Sequence, residues 1–308
     1  MPGMLLVHAG IAALIVLLLP GIAHAWGPGM HVEIALTALG KAALAAPFIA
    51  ELMRRFPDAF IYGSASPDII VGKKYAGYLH HCHNWRMGKK ILAAARSDRQ
   101  RAAAWGYLMH LAADVVAHNY YIPVKIVRSY DARVLAHTYW EMRFDLGVRD
   151  ESWERLDMVT ELDIEEFDKL LERVLRRTLF SFSTNKRIFN TILILQKMRG
   201  LRASLRLYAA HSRFGIAEEN RQHYVDLATE AALDFLKDPD SAPSLQMDPA
   251  GLDRLDYAKK LRKKMRSMMS RGAMSRKQAE TLVEVVKDSL ALGLYRSDMK
   301  LPAVTDVV

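Results

Sequence analysis

The chain of 308 residues carries one cysteine, Cys82, so no internal disulfide framework is possible. No stretch of alternating apolar and polar residues reaches strand length, and no internal repeat is present. These two absences leave little support for a sheet-based or solenoid architecture. There is no glycine-rich phosphate loop and no serine or cysteine nucleophile motif. The usual sequence marks of nucleotide hydrolysis and of covalent hydrolysis are therefore missing. What is present is ordinary for a globular protein: 51% hydrophobic and 25% charged residues. The formal net charge is +9, which suits an anionic surface or substrate but does not choose between lipid and nucleic acid.

The long apolar run lies at the start. Met4 to Leu19 is almost uniformly apolar, Pro20-Gly21 follows, and Ala23-His24-Ala25 supplies an A-x-A site. The run is short for a membrane span and ends in Pro-Gly, so we read residues 1–25 as a removable signal peptide, not an anchor. No Lys or Arg precedes the run. Export without disulfides fits a bacterial periplasm, outer envelope or extracellular setting. Removal after Ala25 leaves Trp26 first, in the sequence WGPGMH. A free α-amino group and its own carbonyl can chelate a metal. His31 lies five residues on, across a Gly-Pro-Gly turn that can fold back.

The chain is organised around residues 105–141. His110, Asp114 and His118 are spaced four apart, on one helix face that drifts about 40° per step. The residues between them are mostly Leu, Ala and Val, so the same helix is a core helix. His137 and Glu141 form a second i, i+4 pair. Any one of these residues is readily explained as a hydrogen-bonded core group. A carboxylate on an apolar face, in register with several imidazoles, must be paired or bound to a cation. The set therefore reads as a metal site. A further His/Cys tract, His80-His81-Cys82-His83, precedes Asn84-Trp85, and Asp68 sits in a Gly, Ser and Pro loop. Cys82 is a weak candidate ligand.

Trp26 as a mature N-terminus, His31, Asp68, His83, His110, Asp114, His118, His137 and Glu141 together resemble the zinc-dependent phospholipase C family. That family shares its fold and three-zinc site with the S1/P1 nucleases. The resemblance covers roughly residues 26 to 150 by motif. It implies one zinc held by Asp68, His83 and His110, with Asp114 bridging to a neighbour. That neighbour takes Trp26, His31 and Asp114, and a third ion takes His118, His137 and Glu141. Asp68 is also the candidate general base toward the attacking water. Clustered zinc lowers the pKa of water toward neutrality and stabilises charge on a phosphodiester. Two points depart from the pattern or stay open. Asp114 and His118 are separated by three residues, against about five in the family, and His81 is an alternative to His83.

The remaining stretches read as helices: 88–104, 151–180 with an acidic start and basic end, 185–208, 216–237 and 276–293. Residues 238–252 read as a linker by composition. Between Lys259 and Lys277 there are nine Lys or Arg and no acid, with Leu261, Met265, Met268 and Met269 at helical spacing. This segment reads either as a basic amphipathic helix on an anionic membrane or as a packed helix with a solvated face. The expected organisation is a signal peptide at 1–25, an all-α catalytic domain at 26–237, a linker at 238–252 and a basic helical extension at 253–308. The expected function is zinc-dependent phospholipase C acting on phospholipid. The rivals are a P1-type nuclease acting on single-stranded nucleic acid, whose spacing from Trp26 to His31 is similar, and a non-catalytic metal-binding envelope protein.

Overall fold

The computed structural model describes residues 26–70, 82–132, 137–161, 164–175, 178, 180–197, 202–203, 206–207 and 218–307, with the side chains of 137–139, 142, 195–197 and 218–219 excepted. Residues 1–25, His80 and His81 lie outside these residues. Every regular element among them is helical, as the missing strand periodicity implied. No helix there is long and apolar enough to cross a membrane.

The helices of the first half are α1 (Pro28–Gly40), α2 (Pro47–Arg55), α3 (Pro57–Ala65), α4 (Trp85–Ala94) and α5 (Asp98–Val116). Proline opens α1, α2 and α3 at a position where its missing N–H has no intrahelical partner to lose. The side chains of Asn84 and Ser97 cap α4 and α5 by accepting from Met87 N and Gln100 N. From Ala102 onward α5 is entirely buried, and the other helices are arranged around it. It is followed by a π-helical turn (Ala117–Tyr121) and then α6 (Ile122–Arg128). Pro123, which cannot donate to the carbonyl four residues back, sits just beyond that widened turn.

Two glycines let α3 and α5 meet backbone to backbone. A Cβ on Gly63 would lie 1.9 Å from the Ala103 carbonyl oxygen, and one on Gly106 would lie 2.0 Å from that of Phe60. This close approach places the end of α3, with Ser64 and the 3₁₀ turn Ser66–Ile69 that carries Asp68, alongside His110.

The later helices are α7 (His137–Asp145), α8 (Asp150–Glu161), α9 (Glu165–Val174), α10 (Phe182–Lys197), α11 (Glu218–Lys237), α12 (Leu252–Ser270) and α13 (Arg276–Leu292). α13 starts with a Ser275/Gln278 capping box. α12 and α13 pack on α6 and the π turn. α12 turns Leu255, Ala258, Leu261 and Met265 into that contact, while Lys259, Lys260, Lys263, Lys264 and Arg266 remain exposed. The Leu261–Met265 stripe is therefore used internally and only the basic face meets solvent.

Candidate metal centre

Three separate parts of the chain converge on Asp114, which is 1% exposed. His110, one turn earlier on α5, places Nε2 3.1 Å from Asp114 Oδ2. His83, from the segment before α4, places Nε2 3.4 Å from the same oxygen and 3.2 Å from Asp68 Oδ1. His31, from α1, places Nε2 3.3 Å from Asp114 Oδ1. His118, in the π turn, stands further off, with Nδ1 3.8 Å from Asp114 Oδ2. The rings of His31 and His110 stack with centroids 3.6 Å apart.

The hydrogen-bond partners of these rings fix which nitrogens carry the hydrogen. His110 Nδ1 lies 2.8 Å from the Ser64 carbonyl, and His118 Nδ1 lies 2.6 Å from the Pro249 carbonyl. A carbonyl only accepts, so Nδ1 carries the hydrogen in each case and Nε2 of the neutral ring holds the lone pair. His83 Nδ1 is 3.3 Å from Cys82 Sγ, again leaving Nε2 inward. Nε2 of His110 and Nε2 of His83 then face each other at 3.1 Å. Neither ring nitrogen of His31 and neither oxygen of Asp114 has a hydrogen-bond partner of suitable geometry among the described residues. Two lone pairs pointing at each other, beside a buried carboxylate, call for a shared cation.

Charge follows the same arrangement. Burial pushes the Asp114 carboxyl up, but His110, His118 and His31 outweigh it and hold the group well below the usual carboxylate range. Burial, reinforced by His110, lowers His31, so that imidazole is neutral and able to ligate. His31, Asp68 and His110 can offer ligand atoms within 4.8 Å of one another, as can His83, His110 and Asp114. Nitrogen and oxygen donors without a thiolate suit zinc. Cys82 is buried and its sulfur faces the Pro67 carbonyl and His83, which places it behind the ligand ring.

Trp26 is fully buried, and its ring packs on Phe144, Tyr121 and His31 at centroid distances of 5.1, 6.3 and 6.3 Å. The next residue donates its N–H to Asp145 Oδ1 at 3.1 Å. A Cβ on Gly27 would lie 1.9 Å from Asp145 Oδ2, so any larger residue there would have to displace that carboxylate. Burial raises the Asp145 carboxyl to about 7, against the Gly27 N–H that lowers it. Sequence reasoning passed over Asp145, although it continues the spacing of His137 and Glu141 by four more residues. The structure buries Glu141, but neither it nor His118 joins the two ligand groupings around His110. The His137 side chain lies outside the described residues. The Ser64 and Pro249 carbonyls carry no sequence signal, because any residue could supply them.

Fold and site together define an all-α protein with a buried imidazole and carboxylate cluster fitted to zinc. The sequence model of zinc-dependent phospholipase C matches residues 30–183, half of the 308-residue chain. The chain belongs to the zinc-dependent phospholipase C family, which makes it a zinc-dependent hydrolase of phosphodiester bonds. No curated protein and no solved structure matched it.

Proposed function

We propose that the protein is an exported phospholipase C that holds three zinc ions and cleaves the glycerol-side phosphodiester bond of phospholipids. The observation that carries this reading is Asp114, a buried, ionised carboxylate ringed by His31, His83, His110 and His118. Under this reading Asp68, His83 and His110 would hold one ion, and Asp114 would be shared with a second. The second would also take His31 and the amino and carbonyl groups of Trp26, which would be available once residues 1–25 are removed. His118, His137 and Glu141 would hold the third.

Bound zinc would supply Lewis acidity toward the phosphoryl oxygens and bring the acidity of water near neutrality. The chain's own part is to orient and to move protons. Ser64 and Pro249 hold the Nδ1 hydrogens of His110 and His118, which leaves the lone pair of each ring on Nε2. Asp114 contributes a buried negative charge that would hold the cations in place. Asp68 takes the proton of the attacking water as that oxygen bonds to phosphorus. The phosphorus bond to the glycerol oxygen breaks, and that oxygen takes a proton from solvent.

The exposed cations of α12 support contact with an anionic membrane surface by charge, since Leu261 and Met265 face inward. Arg262, Lys259, Lys263 and Arg266 also line a surface cleft of about 630 Å³ beside Tyr130 and Asp131.

The test is hydrolysis by the purified mature chain, with and without chelator. Diacylglycerol release from phosphatidylcholine vesicles, abolished by chelator, is the expected result. Mononucleotide release from single-stranded nucleic acid would replace it with the nuclease reading, and inertness on both would leave a non-catalytic zinc protein. Adding phosphatidylserine should tighten vesicle binding in a salt-sensitive way. Indifference of binding to both lipid charge and salt would remove the membrane contact.

A further inference from the structure

Residues 247–251, Met-Asp-Pro-Ala-Gly, lie well beyond the family match at 30–183, yet they run directly across the site. Three successive carbonyls each accept from a side chain in or next to the ligand segments. The Met247 carbonyl takes Trp85 Nε1 at 2.8 Å, two residues past His83. The Asp248 carbonyl takes Asn119 Nδ2 at 2.9 Å. The Pro249 carbonyl takes His118 Nδ1 at 2.6 Å. The same Asn119 amide also donates to the Val115 carbonyl at 3.0 Å, tying the strap to the last turn of α5.

The strap is held in this shape by its own residues. Asp248 Oδ1 accepts from Ala250 N and Oδ2 from Leu252 N, both at 3.2 Å. Gly251 follows with φ of 57°, the left-handed region that favours glycine. A Cβ there would lie 2.5 Å from the His118 carbonyl oxygen and 2.6 Å from the His118 Cβ. The chain beyond is anchored by α12 packing on α6.

We propose that residues 247–251 are a positioning strap for the metal centre, in which the Pro249 carbonyl keeps the hydrogen of His118 on Nδ1 and so reserves Nε2 for the ion. The inference rests on the zinc reading above and adds an element to it. His118 sits in a π turn, where the backbone ladder is widened and the helix alone holds a side chain less firmly. Without a fixed acceptor at Nδ1, the neutral ring could place its hydrogen on either nitrogen, and the Nε2–H form would present N–H to the cation. Met247 and Asp248 then couple the His83 and His118 segments to one rigid strand of backbone.

The test uses the full mature chain and its Gly251→Ala and Asn119→Leu variants. Two quantities are read: the tautomer of His118 from ¹⁵N imidazole shifts in zinc-free protein, and zinc retention during chelator titration. The wild type should show the Nδ1–H tautomer. Each variant should mix the tautomers and release one zinc ion at about 10- to 100-fold lower chelator, with the remaining zinc unchanged. Two variants are used so that a folding failure in one leaves the other, and far-UV circular dichroism reports which are folded. An Nε2–H tautomer in the wild type overturns the proposal, as does undiminished zinc affinity in a folded variant. A wild type that holds no zinc sinks the zinc reading, whereas a zinc-replete wild type with indifferent variants sinks the strap alone.

Discussion

Gly63→Ala tests whether the close approach of α3 and α5 is what builds the site. The added methyl would lie 1.9 Å from the Ala103 carbonyl oxygen. A comfortable carbon-to-oxygen contact is about 3.3 Å, so the two backbones must part by roughly 1 Å or more. Such overpacking costs about 1–3 kcal/mol, offset by about 1 kcal/mol from alanine's better helix propensity. The net loss, about 0–2 kcal/mol, should leave the chain folded. The site is far less tolerant. The hydrogen bond from His110 to the Ser64 carbonyl spans this interface at 2.8 Å and would be stretched beyond hydrogen-bonding range. Zinc distances tolerate about 0.2 Å. The expected outcome is a protein of near-normal helicity and slightly lower Tm, with at least tenfold weaker zinc retention and correspondingly lower phosphodiester hydrolysis. Calorimetry, elemental analysis during chelator titration and a soluble phosphodiester assay measure these in turn. Wild-type zinc retention and activity in a folded Gly63→Ala protein would refute the argument that this helix contact sets the ligand geometry.

Three further outcomes are expected. Asp114→Asn should lose at least one zinc ion and most activity, because an amide cannot supply the bridging charge; elemental analysis showing full zinc would contradict the bridge. One extra residue before Trp26 should leave helical content intact but reduce zinc content and hydrolysis, since an amide nitrogen is a poor ligand; equal zinc and activity would leave Trp26 a packing residue. Lys125 is 3% exposed, and burial lowers its ammonium from 10.5 to about 8. That shift of roughly 2.5 units is worth about 3 kcal/mol, offset by about 1–2 kcal/mol from the rings of Tyr121, Trp140 and Tyr224 around it. Lys125→Met should therefore gain about 1–2 kcal/mol near pH 7. The unfolded chain binds more protons than the folded one between pH 8 and 10.5, so wild-type stability should climb through that window and the variant's should not. Parallel stability curves for the two proteins would contradict this.

Much of the site is legible in the sequence by itself, because its spacing coincides with helix geometry. His110 and Asp114 share a face by periodicity alone, and the apolar residues between them require a buried helix and hence a partner for the carboxylate. The lack of strand patterning likewise decides an all-helical fold. What periodicity cannot express is which distant segments meet. Asp68 is brought beside His83 by the α3–α5 contact that Gly63 and Gly106 allow, His31 reaches Asp114 from α1, and His83 reaches it just before the Asn84 cap of α4. The direction of the Leu261–Met265 stripe is equally open in sequence, since a helix that packs on its neighbours and one that lies on a membrane have the same amphipathic pattern. Residues 247–251 make the point most sharply. Proline, aspartate and glycine mark a turn-rich connection in any sequence, and the groups used there against His118, Asn119 and Trp85 are backbone carbonyls. Every residue carries that group, so its role is set wholly by where the tertiary structure puts it.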